Sequence, residues 1–255
     1  MASIFWVPLL FLAMFSALAA SDTHGDDNLT LRCHQYQAAS LLQLKRSFSF
    51  FSYPSALDSW QDGTDCCLWE GVGCSNSFGY VTALELSGRG LYSQGLDPAI
   101  FNLTSLQLLD LSMNNFGQCN LPATGFERLS LLTHLNLSNS GFQGQIPIGI
   151  GKLANLISLD LSVLYYAASD DSLNGHGTSM PGVTSWLWLQ EPNFQILVGN
   201  LNNLRELYLD GVDMSTSADD WYYCDMNAIS HIAELLFLCP SYHCINETNI
   251  ADAEL

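Results

Sequence analysis

Leucine stands at 103, 106, 109 and 111 of the chain, so the spacing changes from three to two midway through the run. An α-helix keeps its apolar residues about 3.6 apart and a lone half-buried strand keeps them two apart, so neither element alone accounts for the stretch. The same figure returns at Leu129, Leu132, Leu135 and Leu137, at Leu153, Leu156, Leu159 and Leu161, and at Leu201, Leu204, Leu207 and Leu209. An earlier copy is Phe78, Val81, Leu84 and Leu86. Measured on the first leucine of each two-spaced pair, the intervals are 25 residues (84 to 109), 26 (109 to 135) and 24 (135 to 159). A period of that length means stacked copies of one small unit.

The change of spacing has a physical reading. Each unit turns a corner on its three-spaced residues and then lays down a short strand, whose two-spaced leucines point inward while their neighbours point outward. No unit buries its leucines alone, so stability has to come from neighbouring units sharing one core. The period is that of leucine-rich repeats. The expected architecture is an α/β solenoid, a right-handed leucine-rich-repeat coil with short parallel strands on the concave face. The repeats are placed at 77–214. The interval from 159 to 207 is 48, twice the period. Its Gly, Ser, Asp and Pro content marks about 165–184 as an inserted loop, and Leu187 and Leu189 of WLWLQEPN are expected to supply a degenerate coil. The count is five clear repeats and one irregular one.

The flanks set the compartment. Residues 1–20, MASIFWVPLLFLAMFSALAA, hold no charged side chain and end in small residues, as a secretory signal peptide does, with the cut after Ala19 or Ala20. Their apolar core, Ile4 to Leu18, is shorter than the roughly 20 residues a spanning helix needs. A linker follows at 21–32. Sequons at Asn28, Asn102, Asn136 and Asn246 and eight cysteines fit a chain that matures in an oxidising compartment. No later apolar run is long enough to cross a bilayer. Seven Lys and Arg against 25 Asp and Glu give a formal charge of −18, which excludes a phosphate backbone or an anionic membrane as the natural partner.

Residues 33–76 differ in character. QAASLLQLKRSF sets Ala38, Leu41, Leu44 and Phe48 on one helical face, and DCCLWEGVGC follows after a loop. A solenoid's first coil has an open apolar end, so a disulfide-stapled capping domain is expected there. Cys33, Cys66, Cys67 and Cys74 sit in it. Four cysteines allow three connectivities, and strain disfavours pairing the vicinal Cys66 and Cys67, which leaves two open.

With the cap motifs LLQLKRSF and SWQDGTDCCLWEGVGC, the turn GQIP at Gly144 to Pro147, and NLNNLRELYLDGVDMS near 202, the chain resembles plant extracellular leucine-rich-repeat proteins. It is most similar to the N-terminal part of the ectodomain of receptor-like proteins of the disease-resistance class, over roughly residues 33 to 230. The resemblance implies the pairings Cys33–Cys66 and Cys67–Cys74. Two departures stand out. The asparagine that such repeats carry three residues after the leucine pair appears at Asn114, but its counterparts are Arg89, Ser140, Leu164 and Val212. From 215 to 255 no further leucine figure is read, so this tail is expected to be foreign to the solenoid, the product of truncation or alternative splicing.

In a stacked sheet, outward residues form a recognition face. Between the paired inward residues these are Glu85, Asp110, Asn136, Asp160, Trp188 and Tyr208, and His134, Trp186, Glu206 and Asp210 flank them. Trp186, Trp188 and Tyr208 are the favoured contacts, because exposed aromatic side chains concentrate binding energy. Asp110 and Asp160 sit in a recurring LDLS, which also reads as a habit of the repeat, and a glycan on Asn136 would stand mid-face. In the tail, Cys224, Cys239, His243 and Cys244 fit no closed zinc framework and read as disulfide or unstructured chain. Cys119 reads as a buried thiol, with pairing to a tail cysteine left open. No P-loop, HExxH, GxSxG or nucleophile beside a His is present, so neither catalysis, cofactor nor metal is expected. The reading is a secreted or plasma-membrane-associated immune recognition module for a protein, peptide or cell-wall-derived ligand, signalling through a membrane receptor kinase. A soluble polygalacturonase inhibitor is the rival.

Overall fold

The computed structural model describes residues 33–50, 57–163, 187–190, 194–214 and 234–236. The chain enters through helix α1 (Gln35–Ser47), passes β1 (Ser49–Phe50) and reaches β2 (Val72–Cys74) and β3 (Val81–Glu85), which pair antiparallel. Then come β4 (Leu91–Tyr92), β5 (Leu108–Asp110), β6 (His134–Asn136), β7 (Gly144–Gln145) and β8 (Ser158–Asp160). The last elements are β9 (Leu187–Trp188), helix α2 (Phe194–Val198), β10 (Glu206–Tyr208) and β11 (Glu234–Leu236). One seven-stranded sheet has the order β11-β10-β8-β6-β5-β3-β2, parallel throughout from β3 to β11. This is the leucine-rich-repeat solenoid with a disulfide cap.

Register follows from the leucines. Leu84, Leu109, Leu135, Leu159 and Leu207 are successive Cα partners, and each is no more than 1% exposed. A slip of one residue would turn that whole row outward, so burial fixes the pairing. The corner leucines 103, 106, 129, 132, 153, 156, 201 and 204 are buried in the same cluster. Phe116 and Phe142 stack at 4.5 Å behind them, and Phe48 of the cap meets Phe116 edge-on at 6.1 Å. The return limbs carry short 3-10 turns, Pro98–Asn102, Phe126–Arg128 and Ile150–Lys152, in place of full helices.

The irregular coil is not where its leucines suggest. β10 pairs directly with β8, Leu207 on Leu159, so no strand lies between them. Leu187 and Trp188 form β9 beside β7, with Gly144 opposite Leu187 and Gln145 opposite Trp188. The stretch 187–190 is therefore the counterpart of 144–147, on the outer limb of the coil that β8 begins, and the 48-residue interval is a single coil, longer than its neighbours. Leu187 and Leu189 are still buried in the common core. The tail differs too: Glu234, Leu235 and Leu236 pair with Glu206, Leu207 and Tyr208, adding a strand to the sheet from within 215–255, where none is expected. Ile229, Ile232, Leu235 and Phe237 keep the three-three-two spacing, with isoleucine and phenylalanine in place of leucine.

The turns after β3, β5, β6 and β10 each place a residue in the left-handed region. Gly88 and Gly211 supply it at φ 63° and 76°, but Met113 and Asn139 occupy the equivalent positions at 57° and 51°. A side chain in that region costs about 1 kcal/mol, which the flanking coil-to-coil bonds offset. Those bonds include Gly88 N–H to the Ser112 carbonyl and Met113 N–H to the Ser138 carbonyl. Asn114 is buried and satisfies both neighbours: its Nδ2 donates to the carbonyls of Leu86, Leu111 and Ser112, and its Oδ1 accepts from Leu91 N–H. One coil on, the Ser140 hydroxyl takes over, donating to Leu111 and Ser138 carbonyls. Serine thus replaces part of the missing asparagine ladder, and Val212 is buried as an apolar filler.

The cap closes the first coil in four ways. Cys33 bonds Cys66 and Cys67 bonds Cys74, with Cα separations of 5.4 and 5.5 Å. Asp65 accepts from the N–H of both Cys33 and Cys67. Trp60 and Trp69 stack at 5.6 Å, and their indole N–H groups donate to the Glu70 carbonyl and Thr64 Oγ1. Gln37, a polar residue on the helix face read as apolar, is fully buried because its Oε1 accepts from Val81 N–H and so ties α1 to β3.

Candidate functional site

The outward face of the long sheet carries two rows set by register. One row holds Ala83, Leu108, His134, Ser158 and Glu206; the next holds Glu85, Asp110, Asn136, Asp160 and Tyr208. Glu85 and His134 are exposed and the other predicted residues of these rows are half-buried. His134 Nδ1 lies 2.9 Å from its neighbour's Thr133 hydroxyl.

Three central members of the second row are committed to their own turns. Asp110 Oδ1 accepts from the N–H and hydroxyl of Ser112, Asn136 Oδ1 from those of Ser138, and Asp160 Oδ1 from those of Ser162, all at 2.6–3.0 Å. The recurring LDLS and LNLS are thus turn motifs, an Asx side chain bonding backbone two residues on. This accounts for their recurrence without a ligand. In the β10 coil the motif changes: Tyr208 takes the Asx place and Asp210 the serine place, where one buried carboxylate oxygen has no hydrogen-bond partner.

Trp188 stands apart from both rows. Being on β9, it is exposed at 36% on the small outer sheet, next to Gln145 and bridged to Asp213. The aromatic end expected for the recognition face therefore reduces to Tyr208 among the described residues, while Trp186 lies outside them. Asn102 is exposed at the end of a 3-10 turn and accepts from Arg128 Nη2 at 3.2 Å. Asn28, Asn246, Cys224, Cys239, His243 and Cys244 lie outside the described residues. Cys119 is half-buried, with its thiol 3.8 Å from the Gly117 carbonyl. The one cysteine-rich group with metal-like spacing among the described residues, Cys33, Cys66 and Cys67, has its sulfurs bound in the two disulfides.

Sequence reasoning missed an open groove of about 710 Å³ along the N-terminal edge of the sheet. Gln107, Thr133, Ile157 and Arg205, each one residue before its strand, line it, with the corner residues Leu131, Asn155 and Asn203. Asn155 and Asn203 donate Nδ2 to the Ser130 and Ala154 carbonyls of the preceding coil. The signal was present as four different residue types at one fixed place in a constant frame.

A ladder of parallel strands over a leucine core, closed by a stapled cap, defines a leucine-rich-repeat solenoid. Residues 34–75 match the leucine rich repeat N-terminal domain. The chain is 35% identical over 204 residues to Receptor-like protein 6 of Arabidopsis thaliana, covering 72% of this chain and 19% of that protein. It is 34% identical over 229 residues to Receptor-like protein Cf-9 of Solanum pimpinellifolium, covering 83% and 24%. Among solved structures it is similar to the PEPR1–AtPEP1 complex, at 26% identity and a TM-score of 0.52, over 68% of this chain and 21% of that one. The chain belongs to the plant leucine-rich-repeat receptor-like proteins and corresponds to the N-terminal part of their ectodomain. It spans about a fifth of the length of these curated relatives. Among the described residues no helix is long and apolar enough to cross a membrane.

Proposed function

We propose that the chain is a non-enzymatic recognition module that works outside the plant cell, in immune perception. Its ligand is a protein, peptide or cell-wall fragment, read by side chains on the concave side of the sheet. The observation that carries this reading is the pair of outward rows: a frame that repeats coil by coil presents Glu85, His134, Glu206 and Tyr208 to solvent or near it. The receptor relatives support it, and PEPR1 is itself solved bound to AtPEP1. Under this reading residues 1–20 are a cleaved signal peptide, and Asn28, Asn102, Asn136 and Asn246 are glycan acceptors. The module hands its signal to a membrane receptor kinase.

The test is affinity capture from extracellular fluid of infected leaves by the purified chain and by Tyr208→Ala and Trp188→Ala. A hot-spot aromatic contributes about 2 kcal/mol or more, so Tyr208→Ala is expected to lower recovery of the captured ligand at least tenfold. Trp188→Ala, on the outer sheet, is expected to leave recovery within twofold. Equal recovery by the wild type and Tyr208→Ala would remove the recognition face as proposed.

A further inference from the structure

We infer that Asn136 carries an N-linked glycan that stands over β5, β6 and β8 and screens the centre of the recognition face, which leaves the β10 end, with Glu206 and Tyr208, to the ligand. This rests on the recognition reading above and narrows it to one end of the sheet. Three successive coils build one turn from an Asx residue, a buried leucine and a buried serine: Asp110, Leu111 and Ser112, then Asn136, Leu137 and Ser138, then Asp160, Leu161 and Ser162. In each, Oδ1 alone makes the turn, accepting from the serine N–H and hydroxyl. Asp serves there as well as Asn, so the amide of Asn136 adds nothing to the turn. Among the described residues its Nδ2 has no hydrogen-bond partner, and it is not one of the unpaired atoms sealed from solvent. What the amide adds is a sequon: of the three coils, only this one has an Asx residue able to take a sugar.

Attachment is a displacement at C1 of an N-acetylglucosamine carried by a diphosphate-linked oligosaccharide. The Nδ2–C1 bond forms, the C1–O bond to the diphosphate breaks, the diphosphate leaves with the electron pair, and Nδ2 gives up one of its two hydrogens as a proton. Oδ1 keeps both turn bonds, so the strand beneath is undisturbed. Register sets Asp110 and Asp160 one strand to either side of Asn136, about 4.8 Å away. Each commits Oδ1 to its turn and offers Oδ2 to the hydroxyl and acetamido donors of the first sugar. These bonds hold the glycan across the centre, while Tyr208 stands two strands away. The other described sequon, Asn102, is exposed on a 3-10 turn of the return limb and its Oδ1 accepts from Arg128, so a glycan there stands off the sheet.

His134, exposed one strand position from Asn136, reports the screen. The Thr133 hydroxyl donates to the Gln107 carbonyl, so His134 Nδ1–H is the donor to Thr133 Oγ1, and Nε2 stays open to an acylating reagent. The experiment takes the full chain secreted from plant cells, before and after glycoamidase release, with the variants Asn136→Asp, which keeps the turn as its two neighbours do, and Asn102→Asp. Peptide mass spectrometry reads occupancy of Asn136, acylation of His134 by diethyl pyrocarbonate and nitration of Tyr208 by tetranitromethane. Asn136 is expected to be occupied, with His134 acylated at least about fivefold faster after release and in Asn136→Asp, and unchanged within about twofold in Asn102→Asp. Tyr208 nitration should stay within about twofold throughout, and His134→Ala in the capture test above should leave recovery within about twofold. A bare Asn136, His134 acylation unmoved by release, Tyr208 screened as strongly as His134, or a tenfold fall in capture with His134→Ala overturns the inference. Screening of His134 with capture indifferent to Tyr208→Ala removes the recognition reading instead and leaves the glycan in place.

Discussion

Leu135→Ala is expected to destabilise the solenoid by about 3–5 kcal/mol, because the truncated side chain leaves a cavity between coils that cannot collapse. Leu135 is 1% exposed and lies in register between Leu109 and Leu159, so its partners on both sides are themselves held by strand pairing. For a body of this size each kcal/mol moves the midpoint by about 2–4 °C, so a fall of about 10 °C in thermal denaturation is the expected reading. A shift under about 2 °C would mean that the leucines do not share a close-packed interior.

Removing the Cys33–Cys66 bond is the second large effect. It closes a loop of 33 residues, and the loop-closure model assigns about 3–4 kcal/mol to a cross-link of that span. The Cys67–Cys74 bond, separated by seven, is worth about 2 kcal/mol on the same scale. In Cys33→Ala/Cys66→Ala the Asp65 bridge to Cys33 N–H loses its covalent support, and the first coil loses its cover. Because contacts in a stacked fold run only between neighbours, the loss should begin at the cap. The expected outcome is a lower urea midpoint and faster amide exchange in β3, with β8 unchanged. Uniform acceleration across all strands would contradict a cap that acts locally.

The solenoid was legible from the leucine spacing because burial writes that spacing directly into the sequence. The cap helix was legible for the same reason, and the disulfide pairing through the family it resembles. Gln37 escaped because its burial is made possible by a distant N–H, on Val81. The outer limb escaped for a related reason: β4, β7 and β9 are two residues each, too short for any periodicity, so WLWL read as a coil of its own. The sixth parallel strand was hidden by Ile229, Ile232 and Phe237 standing where leucine was sought.

The candidate site was legible only in outline. Glu85, Asp110, Asn136, Asp160 and Tyr208 share one register row, whereas Trp188, expected between the last two, stands on the outer sheet, and what an outward carboxylate does is decided two residues away. Asp110 and Asp160 each meet a serine N–H and hydroxyl and serve the turn. The groove was missed because its lining residues sit before the strands, at corner positions where no alternation rule assigns a face.

The central claim is that neighbouring coils share one leucine interior and thereby hold the outward rows in register. A double-mutant cycle on Leu109→Ala and Leu135→Ala, set against Leu109→Ala and Leu207→Ala, tests it most directly. Leu109 and Leu135 are Cα partners, whereas Leu207 stands three strands from Leu109. The adjacent pair is expected to couple by about 1 kcal/mol and the distant pair to add within about 0.5 kcal/mol. Additivity in the adjacent pair, equal to that in the distant one, would contradict the shared interior.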